Sequence, residues 1–568
     1  MPSIIKKNLK GKIYYYYVES KRIDGKPRHV NQKYLGTAET IFEKFSQTSE
    51  LKDPLYSIIL EFADVCLLYD IASRLNVIGI INKYATKRNQ GVSVGEYALI
   101  AAINRATLPT TKNCIASWYE KTVLSRLFLV KPSALIPQNY WNHMDISDEV
   151  LCSIEDELVK KIVDQYQIDT SRIIYDATNF YTYIDTMQNS ELAKRGHCKS
   201  KRNDLKIVSL SMMITPDCNI PLLYDTYPGN RPDSKQFTVM LNKLKNRYER
   251  ITSKKADVTV VFDRGNNSQD NIDLLECDEF PLYYVGGLKR NQCYDLYELD
   301  TEAFLPLVGD DFDNDTAFRA TREIYNREMT VVVVFNPNLY DGQLQGILLN
   351  IEKTATKFNE LQTKLINRAE GIVTKGRTPT QASVEKQIKT VLATEFMKDI
   401  FGYELSTYNA IPFFSYNLDV SKLDNIKKTV LGKTVLFTNR HDWSNEEITT
   451  AYRSAWRIEH AFKQMKDTDH LTVRPLYHRT DQKIKVHIFY CILAYRLCCL
   501  LKKELQAFGI SDSVNHILEQ LQTIKYVITV LGTSSSDISC SFSKGTALAE
   551  SISSLYSLKE KFQPNLTC

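Results

Sequence analysis

The chain has 568 residues, 43% of them hydrophobic and 24% charged, with a formal net charge of +5. Such a composition supports a sizeable globular core, and a charge this mild does not by itself identify a nucleic-acid partner. At ~150 residues per domain the length predicts three or four structural units. The twelve cysteines form no C-x-x-C pair, which argues against a zinc ribbon and, with no secretory segment at the N-terminus, for a reducing cytosol. The longest apolar run, 488–501, is interrupted by Arg496 and falls short of the ~20 residues that span a bilayer. It reads as a core helix, and the chain as a soluble protein without a membrane partner.

Residues 1–50 predict a small β unit. Two strand-like runs in GKIYYYYVESKRIDGKPRHVNQKYLG flank an Asp-Gly-Lys-Pro turn, the signature of a hairpin. Residues 51–168 turn helical, with a Ser93-x-x-Glu96 capping box and an acidic first turn ahead of Val150; this block is the candidate DNA-binding region. Over 169–309 strands and helices alternate. RIIYDATNFY, LKIVSLSMMI and NIPLLYDTYP read as strands, a helix follows from Asp233, and DVTVVFD and FPLYYVGG are further strands. Three strands, a helix and a strand is the order of a ribonuclease-H-like core, in which the first and fourth strands lie side by side.

Residues 310–424, with the strand EMTVVVVFNP and a long polar helix over 348–371, read as an inserted β-rich and helical domain. Residues 425–510 return to the core through the strand KTVLFTN and a helix over 445–466. Residues 511–568 read as a helical tail, with the low-complexity stretch GTSSSDISCSFSKG as a loop. The expected fold class is therefore multidomain α+β: a ribonuclease-H-like catalytic core interrupted by a β-rich insertion, behind a helical N-terminal region.

Three carboxylates carry the chemistry. Asp176 closes the apolar run IIYD, Asp263 closes VTVVFD, and Glu459 lies within YRSAWRIEHAFKQMK. Short apolar runs ending in aspartate read as buried strands that deliver a carboxylate to the sheet edge. A glutamate on a later helix completes a hard-oxygen set for Mg²⁺, and two such ions ~4 Å apart suit in-line phosphoryl displacement. On the 445–466 helix, Tyr452, Glu459 and Lys466 recur every seven residues, drifting only ~20° per repeat around the axis. Lys463 lies on the neighbouring edge and Trp456 three residues before the glutamate. A lysine there can hold a phosphate and a tyrosine can hydrogen-bond one. The basic run 194–206 supplies Lys199, Lys201, Arg202 and Lys206 as a candidate DNA-backbone patch. No Walker loop is present, so no ATP is expected.

IIYDATNF (173–180), VVFDRGNNS (260–268) and Y-R-x-x-W-x-I-E-x-x-F-K-x-x-K (452–466) resemble the DDE transposases of bacterial insertion sequences. They fit best the IS-four-like subgroup with a Tyr-Arg-Glu-Lys signature and a β-rich insertion before the glutamate. GHCKSKRNDLK, YPGNRPDS and RPLYHRTDQKIKVHIF are similar to further segments of that group. The resemblance implies that Asp176, Asp263 and Glu459 bind two Mg²⁺ ions, with Mn²⁺ able to substitute, and run hydrolysis and strand transfer. Tyr452 and Lys466 would contact element-end phosphates and Trp456 would stack on a displaced base. Where the signature has its arginine, three after the tyrosine, this chain has Ala455, and Arg453 or Arg457 would take its place in contacting DNA. The implied partners are double-stranded DNA, as terminal inverted repeats and target, and a second copy of the chain in the DNA complex. The implied setting is the cytoplasm, at the nucleoid. Two other readings stand beside this one: a nuclease of the same fold without strand transfer, and a DNA-binding descendant without turnover.

Overall fold

The computed structural model describes every residue except 1, 10, 24–25, 47–53, 86–90, 186, 253–256, 278–279, 468, 532–537 and 567–568. The chain divides into two compact units. One comprises Met1–Cys66, Glu120–Leu127 and Glu519–Cys568, and the other Leu67–Tyr119 and Phe128–Leu518.

In the smaller unit, β1 (Pro2–Leu9), β2 (Lys12–Ile23) and β3 (Lys26–Gly36) form an antiparallel sheet in chain order. The expected hairpin is β2–β3, joined by a strand not foreseen; its Asp24–Gly25 turn lies outside the described residues. Tyr14 and Tyr16 pack across the strands against Tyr34, at 6.0 and 5.3 Å between ring centres. A second sheet pairs β4 (Tyr56–Glu61) with Lys525–Val530, which also pairs with Ile538–Phe542. The C-terminal stretch is thus not wholly helical, and part of the expected 532–545 loop is a strand. KYVITV has the β-branched content of a strand, yet its partner β4 lies hundreds of residues away, where local periodicity carries no signal. Helices Ala547–Leu555 and Leu558–Phe562 complete this unit.

The larger unit is built on a mixed sheet. Its strands are β5 (Arg172–Tyr181), β6 (Ile207–Ile214), β7 (Pro221–Pro228), β8 (Thr259–Phe262), β9 (Tyr283–Gly287), β10 (Leu305–Pro306), β11 (Thr316–Ile324) and β12 (Arg327–Phe335). A separate hairpin, β13 (Phe401–Tyr408) with β14 (Ile411–Leu418), precedes β15 (Lys433–Thr438). The order across the sheet is β10-β11-β12-β15-β9-β8-β5-β6-β7. β5 is antiparallel to β6 and parallel to β8, which is parallel to β9. β6 and β8 are buried at every position, as unbroken apolar runs covered on both faces should be. Within the stretch 310–424, β11 and β12 extend this main sheet through β15. The following segment packs around a core of its own that includes Phe358, Ile388, Ile400 and Phe414.

Helices frame the sheet. α1 (Val94–Thr107) starts at the expected capping box of Ser93 and Glu96, followed by α2 (Pro137–His143) and α3 (Asp148–Tyr166), the last capped by Ser147. α4 (Asp233–Thr252) connects β7 to β8, and α5 (Pro337–Ala369) starts the segment with the separate core. α6 (Asn445–Arg453) begins at a second capping box, Ser444 with Glu447. The helix expected over 445–466 is in fact two. α6 stops at Arg453, and α7 (Trp456–Gln464) restarts after a turn at Ser454–Ala455. The Ser454 hydroxyl donates to the Ala451 carbonyl at 2.5 Å, a local bond that competes with the helical ladder.

α8 (Asp481–Ala507) extends the apolar run of 488–501 at both ends. By length and composition it could cross a membrane, but 94% of its apolar window is buried within the protein. Arg496, the charge within that run, is fully buried and pairs with Glu155 of α3 at 2.6 Å, while its Nε donates to the Pro221 carbonyl at 2.9 Å. Among the described residues Cys491, Cys498 and Cys499 form no disulfide, whereas Cys540 is disulfide-bonded. That bond is not what the expected reducing cytosol would favour.

Candidate active site

The sheet register assembles the two aspartates. β5 and β8 run parallel with Tyr175 opposite Phe262, so the next residue on each strand, Asp176 and Asp263, emerges at the same level. β8 ends at Phe262 and Asp263 begins the turn beyond it. Asp176, expected at a strand end, instead lies within β5, which continues to Tyr181 paired only with β6. The pairing with β8, not the apolar run of β5 itself, is what ends at Asp176.

α6 and α7 close the site from above. α6 packs against β9 and α7 against β5. The Tyr452 hydroxyl donates to Asp263 Oδ1 at 3.3 Å, and burial with the nearby Asp263 pushes the phenol pKa up. Gly287 makes this placement possible, since a Cβ there would sit 2.5 Å from the Tyr452 hydroxyl. A cavity of about 390 Å³ lies alongside, lined by Asp263, Tyr452, Arg453, Ala455, Trp456 and Glu459 among others.

Burial dominates the electrostatics of the site. Burial pushes the Asp176 carboxyl up to about 6, and Asp263 and Glu459 add to the shift. Lys199 and the Ala177 N–H, which donates to Asp176 Oδ1 at 2.7 Å, oppose it. Two carboxylates that raise the proton affinity of a third form, together with it, a set of hard oxygens that a divalent cation would satisfy. Among the described residues, however, no group of three or more His, Cys, Asp or Glu is drawn close enough to hold a metal ion. The donor chemistry fits a metal, while the three carboxylates stand around the site without closing on a common point.

The other expected residues divide. Lys466 lies beyond the end of α7, yet its Nζ reaches Thr178 of β5 at 2.5 Å; burial first, then Lys199 and Arg474, lower its pKa. Lys199 stands beside Asp176, with its Nζ on the Ala177 carbonyl at 2.6 Å and 3.8 Å from Asp233. Trp456 is 55% exposed, and the Arg457 guanidinium lies 5.2 Å from its ring centre. Lys463 is exposed on the same short helix.

Arg453 pairs at 2.6 Å with the fully buried Asp315 and also lines the cavity beside Asp263. Lys206 is likewise tied to the carbonyls of Gln188 and Asp185, at 2.6 and 3.3 Å. Arg202 is held by Asp204 at 2.7 Å, and Lys201 is exposed in a left-handed turn with φ 59°. The basic run is therefore a folded loop in which Lys199 alone approaches the carboxylates.

Sequence reasoning missed Arg474. Its guanidinium donates to the Lys466 carbonyl and the Tyr181 hydroxyl, each at 2.5 Å. This residue locks the segment after α7 onto the end of β5, and nothing in its local spacing announces that role.

The two strand-borne aspartates thus lie at one sheet edge, with the helix that bears Glu459 packed on β5. Residues 168–497 match the model of the transposase DDE domain, and the chain belongs to that family: it is a DDE-type transposase, an enzyme of DNA transposition. It is also similar, at 9% identity over 82% of this chain and 80% of the other, to piggyBac transposase in a synaptic complex with hairpin DNA, with a TM-score of 0.36. Similarity to Mos1 transposase, in a paired-end complex with the left transposon end, is 12% over 35% of this chain and 60% of the other, with a TM-score of 0.15. Both TM-scores are too low to bear on the fold. No curated protein matches the chain.

Proposed function

We propose that this transposase moves its own element by cut-and-paste transposition, as a member of the bacterial IS-four-like subgroup with the Tyr-Arg-Glu-Lys signature. The catalytic core is ribonuclease-H-like, formed by 169–309 and 425–510 and interrupted by an insertion domain over 310–424; residues 51–168 contribute to DNA binding. The observation that carries this reading is the β5–β8 register, which sets Asp176 beside Asp263 while Glu459 descends from a helix packed on β5.

Asp176, Asp263 and Glu459 are the catalytic residues and the ligands of two divalent cations, Mg²⁺ or Mn²⁺, which when bound supply Lewis-acid stabilisation of the charge on the reacting phosphate. Tyr452 orients Asp263 through its hydroxyl. Lys466 and Lys199 hold phosphate oxygens as point charges. The exposed Trp456 ring, with Arg457 against it, offers a stacking face for a displaced base. Lys463 and Lys201 contact the backbone at the rim. The partners are element-end and target duplexes, engaged by a homodimer in the cytoplasm. Cleavage at the element end exposes a 3′-hydroxyl, whose attack on the target phosphodiester forms one bond as another breaks, so no nucleotide triphosphate is consumed.

Ala455, on the cavity wall, favours one second reading: a DNA-binding descendant with little turnover. Cleavage and joining of a labelled element-end duplex with Mg²⁺, in wild type and Glu459→Gln, separates the two. Products that vanish in the variant support the transposition reading. Tight end binding without products in wild type supports the descendant, and cleavage that survives the substitution refutes the assignment of Glu459.

A further inference from the structure

Away from the carboxylates, the larger unit contains a second cavity of about 280 Å³ with the opposite character. Its walls come from three distant segments: Arg105 on α1 and Lys112 just after it, Tyr140 and Trp141 on α2, and Tyr477 and His478 before α8. No carboxylate lines it. The Lys112 ammonium is buried without a hydrogen-bond partner. It sits over the rings of Tyr140 and Tyr490, at 5.4 and 5.5 Å from their centres.

Arg105 gives its terminal nitrogens to the carbonyls of Thr110 and Arg474, at 2.5 and 3.3 Å, but its Nε is buried and unpartnered. So are the Tyr140 hydroxyl and His478 Nδ1. Burial and Arg105 depress the Lys112 pKa to about 7, and burial together with the two cations depresses His478 to about 3. Buried donors without acceptors carry a desolvation cost that a bound anion relieves. Trp141 and Tyr477 are 37% and 55% exposed at the cavity, flat faces suited to an aromatic ring.

A row of side chains leads there from the carboxylate site. Arg474 joins the Lys466 carbonyl to Tyr181, and Arg202 also lies over the Tyr181 ring at 5.5 Å. Tyr181 meets Tyr183 edge-on at 5.8 Å, and Tyr183 stacks on Tyr477 at 5.2 Å. Alternating cations and aromatic faces suit a single strand.

We propose that this cavity binds one nucleotide, with its phosphate on Lys112 and Arg105 and its base against Trp141 and Tyr477. The volume, about 280 Å³, lies just below the ~300–1,000 Å³ range of small-molecule sites, a size that suits a single nucleotide and excludes a duplex. The nucleotide is either free or the terminus of a DNA strand. Only the second source rests on the DNA-cutting reading, so failure of that reading leaves the cavity's chemistry standing.

The test is thermal unfolding of the full chain with deoxyadenosine 5′-monophosphate, inorganic phosphate, or a 5′-phosphorylated single-stranded oligodeoxyadenylate. In wild type the mononucleotide raises Tm more than phosphate does. Lys112→Met weakens binding of both by at least ~10-fold, the scale of one charge-assisted hydrogen bond, and without ligand its Tm is no lower than that of wild type, because an uncompensated buried charge has been removed. Tyr477→Leu, a surface substitution, keeps the phosphate effect and loses the advantage of the mononucleotide; it carries the test if the Lys112 variant does not fold. An oligonucleotide effect exceeding that of the mononucleotide assigns the site to a DNA strand, and equal effects assign it to a free nucleotide. Shifts that persist in Lys112→Met, or no shift with any probe in wild type, overturn the proposal. Equal shifts from phosphate and mononucleotide overturn the base half of it.

Discussion

The cavity beside Asp263 and Glu459 gathers acids around an under-compensated Asp176, while the cavity beside Lys112 gathers bases around an unpartnered ammonium. Between these extremes lies the Arg496–Glu155 pair, buried and matched in charge, although both terminal guanidinium nitrogens and Glu155 Oε1 lack a hydrogen bond. A matched pair needs both members, because removing one strands the other. An unmatched charge does the reverse: it weakens the empty protein and repays that cost when an opposite charge binds. Buried charge in this protein thus separates into what holds the fold and what awaits a ligand.

The comparison breaks most severely at the acidic cavity. Glu459→Gln is expected to lower strand cleavage by at least about 10²–10³-fold, the scale for removing one electrostatic contact to a transition state, with Tm unchanged; initial rates on a labelled duplex check this. Next comes the matched pair. Arg496→Met should cost about 3–5 kcal/mol, read as a lowered urea midpoint, and a gain in stability would show that Glu155 is not stranded.

The pH dependence of Asp176 sharpens the contrast. Its folded pKa of about 6 stands above its ordinary 3.8. The protonated form therefore favours folding, and that contribution is complete below about 4 and lost as pH rises through about 6. Asp176→Asn, which cannot ionise, should match wild type at pH 4 and exceed it by about 1–2 kcal/mol at pH 7.5, a figure reduced for the partial exposure of the carboxyl. Mg²⁺ should then stabilise wild type and not the variant. Equal unfolding curves at both pH values would mean that Asp176 is not electrostatically stressed. The smallest effect belongs to the rim. Lys463→Ala should reduce the slope of log affinity against log salt for duplex DNA by about 1, measured by titration at several salt concentrations.

Part of this was legible in the amino-acid order. The runs IIYD and VTVVFD marked β5 and β8, Ser93 marked a helix start, and the family was visible in the motifs around Asp176, Asp263 and Glu459. These are local signals, set by periods of two or 3.6 residues and by caps that bond within one turn. The break at Ser454–Ala455 was also local, but it depends on a buried hydroxyl bonding back to its own helix, which residue type alone does not announce.

What only the tertiary structure decided are the pairings across long sequence distances. Tyr175 opposite Phe262 makes two separate aspartates into one site. Asp315 of the main-sheet region pairs with Arg453, a contact that no local spacing rule connects. Ile58 and Ile528 share a sheet across almost the whole chain, and Arg105, Lys112 and His478 share a cavity that no spacing rule connects. Sequence periodicity tells which face of an element is apolar; which face meets which is fixed only when the whole core closes, because burial rewards the sum of contacts and not any one of them.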